Sequence, residues 1–145
     1  ILITPQLPPV VGHWGNSTVQ AALSKAVDDA LTSLPIDPQR LYVCGADLGA
    51  RGATLLARQK PGRFAGEVAI MSHPRVAIGD LRGDWLHGQR MRIVLAASFE
   101  PWRMEQLQEF IKFAGAGSSI SVFPAGCKSA DEYVATPAFY DAILK

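Results

Sequence analysis

The feature that most constrains the fold is the repeated alternation of short apolar runs with stretches of helical spacing. Five runs have the length and composition of strands, at residues 1–4, 41–44, 68–71, 93–97 and 120–123. Runs this uniformly apolar are typical of strands that are buried on both faces. Alternation of such strands with helices predicts parallel strands joined by helical crossovers. We therefore predict one α/β domain over residues 1–145, a three-layer α/β/α sandwich around a mostly parallel five-stranded sheet.

Four stretches carry the spacing of helices. The clearest covers residues 17–33, with Asn16 or Ser17 as the N-cap and Pro35 just past its end. Its alanines at 22, 26 and 30 predict close packing against the sheet. The other three follow the second strand, begin at Pro101, and begin at Thr136-Pro137. Cys44, inside the second apolar run, is predicted to pack in the core.

The composition excludes several classes of protein. Lys and Arg number 14 against 13 Asp and Glu, so the net charge of +1 lacks the basic excess of a nucleic-acid-binding protein. No apolar run approaches the ~20 residues of a membrane span, so we expect a soluble domain with no membrane partner. The two cysteines and three histidines show no metal-ligand spacing, and we predict no metal and no cofactor. Two cysteines slightly favour a reducing, cytoplasmic location; the sequence indicates nothing further about location.

The turn after the second apolar run carries the most chemical information. Residues 45–49, Gly-Ala-Asp-Leu-Gly, join a predicted strand directly to a predicted helix. This is the layout of a nucleophile elbow, Gly-x-Ser-x-Gly, with Asp47 where Ser would stand. Such a turn holds its central residue at positive φ, so the residues two positions away must be small. The side chain then lies beside the helix N-terminus, whose amides and dipole favour negative charge.

Several short motifs surround this turn in a fixed order. The lead-in 36–45, IDPQRLYVCG, is similar to the pattern I-D-P-x-R-x-Y-x-x-G, and residues 61–65 to P-x-R-F-A. Between them lie Gly52, Ala53, Leu56 and Ala57; upstream, Thr4-Pro5-Gln6 and Trp14 resemble a P-Q-x-P…W segment. In order and spacing the set resembles the esterase, polyhydroxybutyrate-depolymerase and predicted-peptidase group of the α/β-hydrolases. The resemblance spans most of residues 1–123 and implies the later part of that fold, with carboxylic-ester hydrolase chemistry.

The resemblance also implies a catalytic triad of nucleophile, acid and histidine. The nucleophile position falls on Asp47, the acid position on Glu100, and the histidine position on Lys128. The backbone amide of Leu48 would supply one oxyanion donor. Asp47 stands in place of the serine, and no histidine follows His87, so neither the serine nor the histidine of the triad is found.

Two interpretations of the site stay open, and the sequence leaves open whether the chain is an enzyme. In the first, ester hydrolysis is lost, the domain is a binding or assembly module, and Asp47 remains as a helix N-cap. Lys128 is then a solvated lysine or pairs with Asp47 or Glu100. In the second, the chain is an active ester or peptide hydrolase with Asp47 at the nucleophile elbow; dehalogenase-like and epoxide-hydrolase-like members of the superfamily have such an Asp, which forms an ester in their reactions. The general base is then supplied from outside this chain. Within the chain, His73 is a candidate base that we favour less than an external one.

The start of the chain bears on its partners. It begins at Ile1 without a methionine, so we expect a piece of a longer protein. The resemblance implies that the first strands and the oxyanion loop lie upstream, and that a strand between those at 1–4 and 41–44 is missing. We therefore predict that the remainder of the parent chain or another subunit is a partner. Residues 51–92 hold eight Lys or Arg against three acids. This excess predicts either a solvated basic face or a surface that binds an anionic ligand. The hydrolase resemblance implies instead that the ligand is a small ester.

Overall fold

The structure, a computed structural model, describes residues 1–7, 13–71, 91–95, 118–122 and 135–144 and the single residues 105, 108, 112 and 132. In chain order its elements are helix α1 (Ser17–Ser33), a 3-10 turn (Pro38–Arg40), strand β1 (Tyr42–Ala46), helix α2 (Leu48–Gln59), strands β2 (Gly66–Met71), β3 (Met91–Leu95) and β4 (Ser119–Val122), and helix α3 (Pro137–Leu144).

The four strands form one parallel sheet in the order β1-β2-β3-β4. Tyr42 of β1 lies opposite Gly66 of β2, and the pairing runs in step to Ala46 opposite Ile70. Helix α2 is the crossover between these two strands and contacts both of them. A parallel pair needs such a crossover because the chain must return to the same end of the sheet. The N-terminus of α2 consequently lies at the carboxyl end of β1.

The prediction of a three-layer sandwich around a five-stranded sheet is wrong. The described sheet has four strands, and residues 1–4 are not among them. The side chains of Ile1 and Leu2 are 82% and 87% exposed. Apolar side chains that stay in water gain no burial to offset the entropy of ordering a strand. Pro5, which has no amide for a ladder, also cuts the run short.

Helix α1 forms over the predicted residues but packs differently from the prediction. The side chain of Asn16 caps it by accepting a hydrogen bond of 2.9 Å from the amide of Thr18. Ala22 and Ala26 are exposed, so the alanine row does not lie against the sheet. Helix α1 makes its main contacts with α2 instead, and Leu23 packs against the core. The described helices therefore do not give the predicted layering.

The described core lies between α2 and the β1–β2 pair. Its buried members are mostly small on α2 and larger on the sheet side: Ala50, Ala53, Leu56 and Ala57, with Phe64, Val68, Ala69 and Ile70. Small residues allow the helix to lie close to the strands. Cys44 is exposed and Tyr42 is 44% exposed, so the predicted core position of Cys44 is wrong. Val43 packs against the core, and successive side chains of a strand point to opposite faces, so Tyr42 and Cys44 lie on the other face of β1.

A buried glutamine joins α1 to α2. The side-chain amide of Gln20, 2% exposed, donates to the carbonyls of Trp14 at 2.7 Å and Gly52 at 3.2 Å. Its oxygen accepts a hydrogen bond from Gln59. A Cβ added at Gly52 would lie 2.7 Å from the Cβ of Trp14. These contacts hold the segment before α1 against the middle of α2.

Candidate functional site

The turn between β1 and α2 adopts a strained backbone. Asp47 has φ 48° and ψ −113°, and it is the one residue other than glycine with positive φ in the described part of the chain. Residues held in such regions cost on the order of 1–3 kcal/mol, and they persist where the surrounding structure enforces them. The turn therefore has the sharp strand-to-helix geometry of an elbow, with Asp47 at its centre.

The two glycines that flank the elbow differ in what they do. A Cβ added at Gly45 would lie 2.0 Å from the carbonyl oxygen of Gly49 and 2.6 Å from the amide nitrogen of Ala50. Only glycine fits at Gly45, because the first turn of α2 passes directly against it. Outside its own helix turn, a Cβ at Gly49 would meet no atom of the described residues within 4 Å. The expectation that both flanking positions must be small is correct for Gly45 and wrong for Gly49.

Backbone hydrogen bonds tie the elbow to the second strand. The amide of Asp47 donates to the carbonyl of Ile70 at 2.8 Å, just beyond the last paired residues of β1 and β2. The carbonyl of Asp47 accepts from the amides of Ala50 at 3.0 Å and Arg51 at 3.4 Å. These bonds hold the positive φ in place and start the helix.

The side chain of Asp47 does not cap α2. It stands at the N-cap position, but it makes no capping hydrogen bond to the helix amides. The interpretation of Asp47 as a capping remnant is therefore wrong. The amides of Leu48 and Gly49 begin the helix, where backbone N–H groups have no intrahelical acceptor. The elbow thus places an acidic residue directly before two helix N-terminal amides, and the amide of Leu48 is the predicted oxyanion donor.

The surface around the elbow is partly apolar. Asp47 and Gly49 are half-buried, whereas the side chain of Leu48 is 65% exposed. Because Leu48 is mostly exposed and follows the half-buried Asp47 directly, the surface at the elbow is partly polar and partly apolar. Arg51 follows one turn later and is also exposed.

The other predicted site residues lie outside the described residues. Glu100 and Lys128, at the acid and histidine positions, are not described, and neither is His73. His13, which is described, is exposed and lies against Gly15 beside the side chain of Leu55. Within the described ranges no group of three His, Cys, Asp or Glu residues could hold a metal ion. In the same part of the chain, no helix combines the length and the apolar character needed to cross a membrane.

One titratable group in the core was not singled out from the sequence. Glu67 of β2 is 1% exposed, and its Oε1 accepts a hydrogen bond from the hydroxyl of Thr54 on α2. Its other oxygen, Oε2, is buried and has no hydrogen-bond partner among the described residues. Burial raises the pKa of Glu67 to about 7, and the hydrogen bond from Thr54 offsets only part of that rise. The sequence signal for a buried acid was the position of Glu67 inside the otherwise apolar stretch 66–71.

Comparison with known proteins finds no matching family and no matching curated protein. The hydrolase resemblance therefore depends on the sequence motifs around the elbow, and assignment to that family stays a prediction.

Proposed function

We propose that this chain is a hydrolase-like binding module that holds a small ligand at the elbow and has lost ester hydrolysis. The observation that supports it is the backbone of Asp47, at φ 48° and ψ −113°. A strained turn that is enforced by Gly45 and by the bond to Ile70 is costly to keep. Because the side chain does not cap α2, helix capping is not the reason for keeping it.

The position of the elbow in the sheet favours ligand binding. In open parallel sheets ligands bind outside the carboxyl ends of the strands, and Asp47 directly follows the last residue of β1. The amides of Leu48 and Gly49 can donate to an acceptor oxygen of a ligand. The exposed side chain of Leu48 offers apolar contact beside them. This combination suits a small ester or amide with a short alkyl chain.

The residue types at the site argue against ester turnover. A carboxylate that attacks an ester carbonyl forms a mixed anhydride, which is less stable than the ester itself. Hydrolysing an acyl intermediate further needs a general base to activate water. The chain has no histidine after His87 to fill the triad position. Binding without turnover is the activity that this set of residues supports best.

The test separates binding from catalysis in two assays. Release of nitrophenolate from p-nitrophenyl butyrate should be no faster with the wild-type chain than with Asp47→Ala. Titration with the non-hydrolysable amide N-(4-nitrophenyl)butanamide should shift the ¹H–¹⁵N resonances of Leu48 and Gly49. Leu48→Ser should weaken that binding several-fold. Leu34→Ser is the matched control, because Leu34 is a 41% exposed leucine at the far end of α1.

Two results would contradict this proposal. Ester turnover that disappears in Asp47→Ala would show an active hydrolase. Resonances of Leu48 and Gly49 that do not respond to millimolar amide, or that respond equally in the Leu48 and Leu34 variants, would remove the binding site.

The second candidate function is an aspartate-nucleophile hydrolase. It is favoured by the acidic side chain at the strained position together with the absence of a capping bond. In that chemistry an Oδ atom of Asp47 attacks a carbon of an epoxide and an ester C–O bond forms. The epoxide C–O bond breaks, and the resulting alkoxide takes a proton from water.

An epoxide probe tests this second candidate. Incubation with 1,2-epoxy-3-(p-nitrophenoxy)propane should add one probe mass, mapped to Asp47 by peptide mass spectrometry and absent in Asp47→Asn. Labelling spread over several carboxylates, or none at Asp47, would reject the nucleophile role and leave the binding module.

A further inference from the structure

We propose that the contact between Glu67 of β2 and Thr54 of α2 is a pH-sensitive switch, which holds the elbow helix against the sheet while Glu67 is neutral and loosens it when Glu67 ionises. The proposal concerns the attachment of α2 and stands independently of which ligand the elbow binds.

The geometry of the pair fits an uncharged acid. Glu67 and Thr54 are 1% and 3% exposed, and the hydrogen bond between their side chains crosses the interface between sheet and helix. A carboxylate at this place would have one hydrogen bond and a second buried oxygen, Oε2, for which the described part of the chain offers no partner. Burying a charge with so little compensation is far more costly than burying a neutral carboxylic acid. Ionisation therefore favours any opening that lets water reach Oε2.

The same contact is mechanically connected to the elbow. Thr54 lies near the middle of α2, whose first residues, Leu48 and Gly49, follow directly from Asp47. Strand β2, which carries Glu67, also accepts the amide of Asp47 through the carbonyl of Ile70. Besides the apolar packing of α2, two hydrogen bonds thus join this part of the chain to β2, one at the elbow and one at the middle of the helix. Loosening the Thr54 contact leaves the Asp47–Ile70 bond as the remaining one of these two.

Among the described residues, the charged and titratable groups near Glu67 leave its burial uncompensated. On β1, partial desolvation by the surrounding protein, and then the charge of Glu67, raise the pKa of the partly exposed Cys44 thiol to about 11, so Cys44 is neutral over the relevant range. Within the described part of the chain, burial raises the pKa of Glu67 to about 7 and the hydrogen bond from Thr54 opposes that rise. The other charged residues on α2 and on the helices that contact α2 or β2 are exposed: Arg51 and Arg58 on α2, Asp141 on α3, and Lys25, Asp28 and Asp29 on α1. On the neighbouring strand β3, Arg92 lies opposite Val68 in the sheet register.

The first experiment is a direct titration of the wild-type chain. The side-chain carboxyl carbon of Glu67 is followed by ¹³C NMR from pH 4 to pH 9. We expect a midpoint near 7, well above the ordinary value for glutamate. A midpoint below 5 would overturn the proposal, and this measurement does not depend on any variant folding.

The second experiment measures the opening of α2 itself. Amide hydrogen exchange of residues 50–57, corrected for the intrinsic pH dependence of exchange, gives the opening equilibrium constant. With the pKa of Glu67 raised from 4.5 to about 7, linkage predicts that this constant rises about 70-fold between pH 5 and pH 8 when opening exposes Glu67. The rise should be absent in Glu67→Gln, whose side chain keeps the shape and the Thr54 contact without the charge.

Asp29→Asn is the matched control, since it removes an exposed carboxylate of α1 that pairs with Lys25. This control should leave the pH dependence of α2 exchange unchanged. An undiminished rise in Glu67→Gln, or an equal loss of the rise in Asp29→Asn, would assign the effect to another group and reject the switch.

Discussion

Replacing Gly45 by alanine tests the steric basis of the elbow. The added Cβ would lie 2.0 Å from the carbonyl oxygen of Gly49, 2.3 Å from its carbonyl carbon and 2.6 Å from the amide nitrogen of Ala50. All three are backbone atoms, so no side-chain rotation can relieve the contacts. Restoring an ordinary contact distance of 3.4 Å would move the first turn of α2 away from β1 by about 1.4 Å.

The energetic cost follows from that displacement. Forcing extra atoms into a packed site typically costs about 1–3 kcal/mol, and a clash of backbone with backbone belongs at the upper end. We therefore expect Gly45→Ala to lower the free energy of unfolding by about 3 kcal/mol. For a chain of this size that corresponds to a fall in Tm of roughly 6–12 °C.

Gly49→Ala is the matched control four residues away. Its Cβ would meet no atom of the described residues within 4 Å outside its own helix turn, and alanine favours helix over glycine by up to ~1 kcal/mol. Urea denaturation followed by far-ultraviolet circular dichroism should show a neutral to stabilising effect for Gly49→Ala beside the large loss for Gly45→Ala. The steric reasoning is refuted if Gly45→Ala stays within about 0.5 kcal/mol of wild type, or if the two variants lose stability equally.

Four further substitutions test individual contacts by denaturation. Gly52→Ala should lower the free energy of unfolding by about 1–3 kcal/mol, because its Cβ would lie 2.7 Å from the Cβ of Trp14. An unchanged denaturation midpoint would show that Trp14 can move aside without cost. Gln20→Ala should lower the free energy of unfolding by about 2–4 kcal/mol, because the carbonyls of Trp14 and Gly52 lose the side-chain amide that donates to them. A decrease below 1 kcal/mol would contradict this. Asp47→Gly should stabilise by about 0.5–1 kcal/mol by relieving the positive φ, and a loss would indicate that the carboxylate itself stabilises the fold. Because folding raises the pKa of Glu67 from 4.5 to about 7, wild-type stability should fall between pH 4.5 and 7, and Glu67→Gln should recover up to ~3 kcal/mol at pH 8; parallel pH profiles would contradict it.

Features set by local sequence were predictable. The helix over residues 17–33 is specified by its apolar spacing, an Asn16 cap and Pro35, and it forms over those residues. The elbow was predictable because Gly45 and the abrupt change from strand to helix pattern leave few conformations for Asp47. These signals act within a few residues along the chain, so they need no knowledge of what lies opposite.

Features that depend on a distant neighbour were not predictable in this way. Residues 1–4 have strand composition, but no sequence pattern shows whether a sheet edge is available, and Ile1 and Leu2 remain in water. Cys44 lies in a uniformly apolar run, yet it is exposed because it lies on the face of β1 opposite Val43, the residue that packs against the core. The five-stranded prediction failed because residues 1–4 do not join the described sheet.

The sequence by itself determined where the chain turns sharply and that an acid stands at the turn. Only the tertiary structure decided that the carboxylate of Asp47 leaves α2 uncapped, that Gly45 rather than Gly49 is required, and that Glu67 is buried beneath Thr54. Backbone preference is a property of neighbouring residues. Burial, close approach and the pKa of a carboxyl are properties of the space between elements, which exists only once α2 has packed on the sheet.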